Sequence, residues 1–218
     1  MSQEDQKRRA ATAALAYIKD GIAVGIGTGS TVDLLIDALA PYAGKLTAVV
    51  SSSERSTQRL EAAGIRVSEL AQVGDLDLYI DGADEATKHL HLIKGGGGAL
   101  TREKILAAAA RRFVCIVDET KLVATLGRFP LPIEVLPVAA SFVARQMAKA
   151  GGHPILRAGF VTDNGNQILD VHNLRIANPV EMETRFNQIP GIVTVGIFAN
   201  RRADVLLVGT SGGVKTLQ

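Results

Sequence analysis

The sequence predicts an α/β protein with a mostly parallel β-sheet and a smaller α+β domain inserted towards the end of the chain. Short apolar runs alternate with helical patterns over the first 117 residues, which is typical of a parallel sheet covered on both faces. The pattern changes at FPLPIEVLP, residues 129–137, where three prolines in nine residues mark a junction. Beyond it, strand and helix patterns follow in a different order.

The first domain opens with a helical pattern over residues 4–19 that Gly21 terminates. The apolar run 22–26 reads as a buried strand, and it leads through the glycine-rich turn GTGST into a helix over 32–39. The remaining elements expected here are strands over 46–50, 65–67, 77–80 and 113–117, and helices over 54–63 and 101–112.

The smaller domain is expected to hold strands over 133–136, 154–161, 168–172 and 192–198, and helices over 138–150 and 179–188. Asn164-Gly165 between the two middle strands is a strong hairpin-turn signal. The resulting order, βαββαβ, is that of the split βαβ or ferredoxin-like motif. A further buried strand over 204–208 suits the parallel sheet better. We therefore expect a main domain of residues 1–129 and 204–218 and an inserted domain of residues 130–203.

Composition excludes several classes of partner. The net charge is only +2, from 24 basic and 22 acidic residues, and the basic residues are scattered, so neither nucleic acid nor a membrane surface is an expected partner. The amino-terminal segment has no apolar core of the kind a signal peptide needs, and no run is long enough to span a membrane. A cytoplasmic protein is expected, and its single cysteine, Cys115, is read as a small buried hydrophobe.

The turn GTGST resembles a nucleotide-binding loop but fails the usual patterns. A dinucleotide fingerprint would need glycine where Ser30 or Val32 stands, and a P-loop would need a following Gly-Lys-Ser/Thr. What remains, Thr28, Gly29, Ser30 and Thr31, offers backbone N–H groups and hydroxyls at a helix amino terminus and suits a single phosphate. An ordinary helix N-cap explains the same residues equally well.

The segment DGAD, Asp81, Gly82, Ala83 and Asp84, follows a buried strand, where ligands bind in open α/β sheets. Its two carboxylates can converge on sugar hydroxyls or hold a metal, and a simple turn is the competing interpretation. An H-x-H pair at residues 89 and 91 raises the metal alternative. The alternation of residues 88–93 favours instead a strand with the histidines on one face.

The most informative segment is KGGGGALTREK, in which Lys94 precedes four glycines, Gly95, Gly96, Gly97 and Gly98. Four glycines cost conformational entropy, so they indicate a backbone that approaches a ligand closely or adopts positive φ. A flexible linker fits poorly because the run is short and lies between apolar patterns. Glu103 is either a favourable first-turn charge on the next helix or a general base.

Together these groups suit the movement of a proton beside the carbonyl of a sugar phosphate. Lys94 would stabilise the oxyanion of an enediolate, and Glu103 would carry the proton between neighbouring carbons. This chemistry needs no redox cofactor, and none of the corresponding motifs is present in the sequence.

The motifs GTGST, SSS, DGADE, LIKGGGGALTREKI, FPLP, TDNGN with ILD, and PGIVTVGIFA resemble, in this order, ribose-5-phosphate isomerases of the A type over nearly the whole chain. The resemblance implies interconversion of D-ribose 5-phosphate and D-ribulose 5-phosphate in the pentose phosphate pathway, without metal or cofactor, by a dimer or tetramer. It also implies a Rossmann-like main domain.

The resemblance assigns a role to each motif residue. Glu103 matches the base that shuttles the proton between C2 and C1, and Lys94 matches the residue that stabilises the enediolate. Asp81 and Asp84 match the carboxylates that bind the sugar and assist ring opening. The substrate-binding residues are Thr28, Gly29, Ser30, Thr31, Asp81, Gly82, Ala83, Asp84, Lys94, Gly95, Gly96, Gly97 and Lys121, the last a phosphate contact. The fourth glycine, Gly98, is alanine in some relatives.

Two other functions use part of the same pattern. A sugar-phosphate sensor on a related α/β fold would keep GTGST without needing the base, and the presence of both Glu103 and Lys94 argues against it. An enzyme resembling acyl-CoA transferases would need a carboxylate nucleophile and room for a far larger substrate, for which the short glycine loops look too closed.

Overall fold

The computed structural model describes residues 2–218, which form two compact units. The first unit comprises the chain up to Ala83, Arg102–Leu122 and Ala203–Gln218, and the second comprises Asp84–Thr101 and Val123–Arg202. Residues 84–101 and 123–129 thus belong to the second unit, whereas the sequence pattern placed them in the first. Residues 84–101 do so because the strand at Leu92–Ile93 bonds to the strands at Glu85–Ala86 and Ile197–Phe198. Residues 123–129 follow because the N–H groups of Gly127 and Phe129 donate to the Glu85 carboxylate.

The helices are α1 Gln3–Ala14, α2 Ser30–Leu39, α3 Glu54–Ala62, α4 Leu70–Val73, α5 Leu100–Ala109, α6 Ala140–Lys149 and α7 Pro179–Asn187. The strands are β1 Ala23–Ile26, β2 Ala48–Ser51, β3 Leu76–Asp81, β4 Glu85–Ala86, β5 Leu92–Ile93, β6 Ala110–Asp118, β7 Leu131–Val135, β8 His153–Leu156, β9 Gln167–His172, β10 Ile192–Val195, β11 Ile197–Phe198, β12 Val205–Thr210 and β13 Gly213–Leu217. Within residues 2–218, none of these helices has the length and apolar character that crossing a membrane requires.

The first unit is built on a six-stranded sheet in the order β13-β12-β6-β3-β1-β2. All neighbouring strands are parallel except β13, which pairs antiparallel with β12. The chain moves from β1 outwards to β2 and then returns to the other side of β1 with β3. The order therefore reverses between β1 and β3, and open α/β sheets bind ligands at the carboxyl ends of strands at such a switch point.

The second unit contains two antiparallel sheets, β10-β7-β9-β8 and β11-β5-β4. The four-stranded sheet carries α6 and α7 in the order β7-α6-β8-β9-α7-β10, which is the expected βαββαβ motif. Its core gathers Ile133, Val143, Val171 and Phe186. The predicted fold class, a mostly parallel sheet with a smaller α+β part, is confirmed.

Several predicted elements are wrong in detail. The α-helix predicted over 4–19 ends at Ala14, and the strand predicted over 154–161 ends at Leu156. Residues 65–67 form no strand, although the adjacent Ser68 N–H donates to the Val49 carbonyl over 2.8 Å. The helix predicted over 101–112 ends at Ala109, because strand pairing with β3 begins at Ala110 and prevails over the helix propensity of four alanines. The strand predicted over 192–198 is split by Gly196, whose N–H donates to the Pro132 carbonyl over 2.7 Å.

Candidate active site

The turn after β1 places the predicted phosphate-binding residues at the amino end of α2. Gly29 precedes this helix with φ +112°, a left-handed value that glycine adopts without strain. Among residues 2–218, no side chain donates or accepts a capping bond at Gly29, so the first N–H groups of α2 suit an anion. Thr31 is buried, Thr28 is half-buried and Ser30 is exposed.

Asp81, at the carboxyl end of β3, ties this turn to the neighbouring strand. Its side chain is completely buried, and Oδ1 accepts hydrogen bonds from the N–H groups of Thr28 (3.1 Å) and Gly82 (2.7 Å). Oδ2 accepts a hydrogen bond from the Tyr79 hydroxyl. Because β1 and β3 are adjacent at the switch point, one buried carboxylate fixes the backbone of both loops.

Tyr79 is bonded to Asp81 and feels the charge of the predicted base. Burial raises the pKa of the Tyr79 phenol well above its usual 10.0, and the negative charges of Asp81 and Glu103 raise that pKa further. The phenol consequently stays protonated and remains a donor. Glu103 itself is only 3% exposed and lies in the first turn of α5, where the helix dipole favours a negative charge.

Two lysines of the first unit lie in segments relevant to the predicted phosphate site. Lys121 is half-buried in a short 3₁₀ turn after β6, and the side chain of Asp118 caps that turn. Lys7, on α1, donates to the Ser30 hydroxyl over 3.0 Å. Sequence reasoning missed Lys7, since it lies 23 residues from Ser30 in a charged helix and no local motif marks it.

The second unit holds Asp84 and the glycine run in one network. The Asp84 N–H donates to the Ile93 carbonyl over 2.8 Å, and its Oδ2 accepts from the Gly96 N–H over 2.8 Å. A Cβ on Gly96 would stand 2.6 Å from Asp84 Oδ1, so a larger residue there would displace the Asp84 carboxylate. Gly95 is buried, whereas Gly96 and Gly97 are exposed.

Lys94 is buried at the end of β5, with 2% of its surface exposed. Its N–H donates to the Gly196 carbonyl over 2.9 Å, and its ammonium lies 5.6 Å from the centroid of the Phe198 ring. A buried ammonium against an aromatic face is a strongly localised charge. This is the property required of a group that stabilises an oxyanion.

The two histidines do not lie on a strand, so that expectation is wrong. Leu90, between them, has φ +67° and its N–H closes a turn onto the Thr87 carbonyl over 2.9 Å. The polypeptide becomes β-strand only at Leu92. Burial and the positive charge of Arg202 lower the pKa of His91. Within residues 2–218, no group of three or more histidine, cysteine or acidic side chains has a geometry that could hold a metal ion.

The predicted site residues thus fall into two groups, each inside one unit. The first unit holds Thr28, Gly29, Ser30, Thr31, Asp81, Gly82, Ala83, Glu103 and Lys121. The second holds Asp84, Lys94, Gly95, Gly96 and Gly97. An anion-suited turn and buried carboxylates at the switch point of a parallel sheet define an α/β protein of the kind that binds small phosphorylated ligands.

Comparison with known proteins identifies the family. The family model for ribose 5-phosphate isomerase A (phosphoriboisomerase A) matches residues 48–213. The chain is 46% identical to ribose 5-phosphate isomerase A from Neisseria gonorrhoeae, with coverage of 99% of this chain and 97% of that one and a TM-score of 0.97. It is 41% identical to the Methanocaldococcus jannaschii protein, with 100% of both chains covered and a TM-score of 0.94.

A third similar structure, of D-ribose-5-phosphate isomerase in complex with phospho-erythronic acid, is 39% identical over 100% of both chains with a TM-score of 0.96. The chain belongs to the ribose 5-phosphate isomerase A family, and it is an isomerase. The family resemblance read from the sequence motifs is therefore confirmed.

Proposed function

We propose that the protein interconverts D-ribose 5-phosphate and D-ribulose 5-phosphate by moving a proton between C1 and C2 through an enediolate. The observation that carries this proposal is the buried set of Asp81, Tyr79 and Glu103 beside an anion-suited turn. The family's activity and the phospho-erythronic acid held by one similar structure support it.

Glu103 is the proposed base. Its position in the first turn of α5 favours the ionised form, which can accept a proton from the carbon next to the carbonyl. The burial of its side chain limits exchange of that proton with water. Returning the proton to the neighbouring carbon completes an aldose-ketose isomerisation with no net oxidation.

Lys94 is proposed to stabilise the oxyanion that develops when the proton leaves. A fixed, buried ammonium acts most strongly on charge that appears only in the transition state. Asp84 is proposed to bind sugar hydroxyls. Asp81 already accepts two backbone N–H groups and the Tyr79 hydroxyl. These bonds support a role for Asp81 in holding the turn proposed to bind substrate, and the family resemblance supports a role in ring opening.

The substrate phosphate is proposed to bind the residues Thr28–Thr31 at the amino end of α2, with Lys121 as a cationic partner. Lys7 joins this set because it donates to the Ser30 hydroxyl. Gly82, Ala83 and Gly95–Gly97 are proposed to contact the sugar through their backbone. We also propose action in the non-oxidative pentose phosphate pathway, in the cytoplasm, as a dimer or tetramer.

The first experiment measures conversion of ribose 5-phosphate to ribulose 5-phosphate without added metal. We expect Glu103→Gln to lower kcat about 100- to 10,000-fold with a smaller effect on KM, because it removes the base while keeping the shape. Glu181→Gln is the matched control, since Glu181 is a first-turn glutamate on α7 and is exposed. Near-normal kcat in Glu103→Gln would show that the base is another residue.

The second experiment tests the phosphate contact. Lys121→Ala should raise KM for ribose 5-phosphate about 10- to 100-fold, as expected for loss of one charge-assisted bond. Lys149→Ala, at an exposed position on α6, serves as control. An unchanged KM would remove Lys121 from the site. A wild-type protein that binds the sugar phosphate without converting it would favour the sensor alternative instead.

A further inference from the structure

The segment Gly95–Thr101 follows Lys94, and side chains of the loop between β8 and β9 hold it in place. This loop covers residues 157–166 and is here called the clamp loop. The Arg157 guanidinium, at the start of the clamp loop, donates to the carbonyls of Gly95 (3.3 Å) and Gly96 (3.2 Å). These are the two carbonyls that come directly after Lys94.

The Arg157 guanidinium is itself fixed by Asp170. Nε donates to Asp170 Oδ2 over 2.8 Å and NH2 donates to Oδ1 over 2.6 Å, a bidentate pair in which both side chains are less than one-fifth exposed. The planar fork thus bonds a carboxylate on one side and two backbone carbonyls on the other. A lysine, with a single ammonium, cannot reproduce this geometry.

An aromatic contact holds the far end of the glycine run. Phe160, in the clamp loop, lies so close to Gly98 that a Cβ there would stand 2.2 Å from the ring. The Arg157 guanidinium lies 5.2 Å from the centroid of the same ring. Gly98 has φ +81°, so a larger residue at this position would strain the backbone and displace the Phe160 ring.

Glu134, on β7, anchors the end of the segment. It is completely buried, and it accepts hydrogen bonds from the Thr101 hydroxyl and from three side chains of the clamp loop, Thr162 (2.9 Å), Asn164 (3.1 Å) and Asn166 (2.9 Å). Thr101 is the second residue of α5, the helix whose first turn carries Glu103. A buried carboxylate with four donors holds them firmly, because water cannot replace a donor that moves away.

We infer that Arg157 is a positioning residue for the isomerisation. Through the Gly95 and Gly96 carbonyls it sets the backbone that follows Lys94, while the Glu134 network fixes the other end of the segment. This inference rests on the proposed role of Lys94. It implies that the smaller α+β part positions a catalytic group. Displacement of a catalytic group by about 1 Å can cost 100-fold in rate.

The test compares Arg157→Lys with the exposed control Arg145→Lys, which lies on α6. We expect Arg157→Lys to lower kcat about 10- to 100-fold with KM for ribose 5-phosphate near that of the control, measured where urea unfolding shows both variants to be folded. Wild-type kcat in Arg157→Lys would overturn the inference. If Arg157→Lys fails to fold, Asp170→Asn takes its place, since it weakens the hold on the guanidinium and keeps the arginine.

A second measurement does not depend on catalysis. Hydrogen–deuterium exchange of the peptide covering residues 95–101 should become faster in Arg157→Lys and stay unchanged in the control. Unchanged exchange would show that Arg157 does not hold the segment Gly95–Thr101. If the wild-type protein proves inactive on ribose 5-phosphate, the proposed function fails, and exchange in the same peptide still decides whether Arg157 holds the segment.

Discussion

Gly27→Ala is a substitution whose effect the structure determines almost completely. Gly27 directly follows β1, and its N–H donates to the Ile80 carbonyl over 2.9 Å. A Cβ at this position would stand 1.9 Å from Asp81 Oδ1 and 2.0 Å from its Cγ. Its φ lies outside the left-handed range, so alanine meets no backbone strain and the whole effect is steric. The Asp81 carboxylate has to move.

The magnitude follows from what Asp81 loses. Its Oδ1 accepts from the Thr28 and Gly82 N–H groups, and a bond to a charged group contributes about 1.5–3 kcal/mol. Forcing an extra carbon into a packed site costs about 1–3 kcal/mol in addition. Losing one such bond and overpacking the site together cost about 2.5–6 kcal/mol, a large part of the typical 5–15 kcal/mol of a folded domain. We also expect kcat to fall, because the turn before α2 loses its anchor.

Alanine substitutions at two other glycines separate the steric effect from backbone strain when unfolding in urea is measured for each variant. Gly29 has open space around its Cβ position and φ +112°, so Gly29→Ala should cost only the strain of about 1–2 kcal/mol. Gly44 has open space and no such φ, so Gly44→Ala should leave stability within about 0.5 kcal/mol. If Gly27→Ala unfolds at the midpoint of Gly44→Ala, the proposed contact between Gly27 and Asp81 is wrong.

Three further substitutions test single contacts. Tyr79→Phe should destabilise the protein by about 1–3 kcal/mol, because it removes a donor to buried Asp81. Folding raises the pKa of Tyr79, so the free energy of unfolding of the wild type should fall above pH 10.0 more steeply than that of Tyr79→Phe. Gly98→Ala should cost about 2–4 kcal/mol in urea unfolding, and Phe160→Leu in the same chain should recover part of it; no recovery would exclude the ring overlap. Burial and a neighbouring arginine lower the pKa of His91, so wild-type stability should decrease as pH falls through 6.5, and His91→Gln should flatten that slope.

Much of the fold was predictable because strong local signals and long-range pairing agree. Short apolar runs identified β1, β3 and β12, each of which lies inside the parallel sheet. The errors arose where pairing decided against a local signal. The alanines before β6 favour helix, yet Ala110 pairs with Leu76, and the alternation through Leu90 suggests a strand although that residue closes a turn.

The motif residues of the site were visible in the sequence because glycine and acidic residues cluster after strands. Their supports were not visible. Lys7 lies 23 residues from Ser30, and Arg157 lies 61 residues from Gly96. Neither lysine nor arginine at those positions departs from an ordinary surface pattern. Such contacts depend on how helices and hairpins pack, which periodicity within one element does not encode.

The glycine run after Lys94 shows why a segment without side chains need not be flexible. Three of the glycines are favoured for separate reasons: Gly95 has φ +110°, Gly96 lies against Asp84, and Gly98 lies under an aromatic ring at φ +81°. Without side chains, the backbone groups of the run are open to hydrogen bonds from other residues. The Gly96 N–H donates to Asp84, and the Gly96 carbonyl accepts from Arg157. The entropy that four glycines lose on folding is offset by bonds that larger residues would block. The backbone next to Lys94 is therefore rigid, and the glycine run is not a flexible linker.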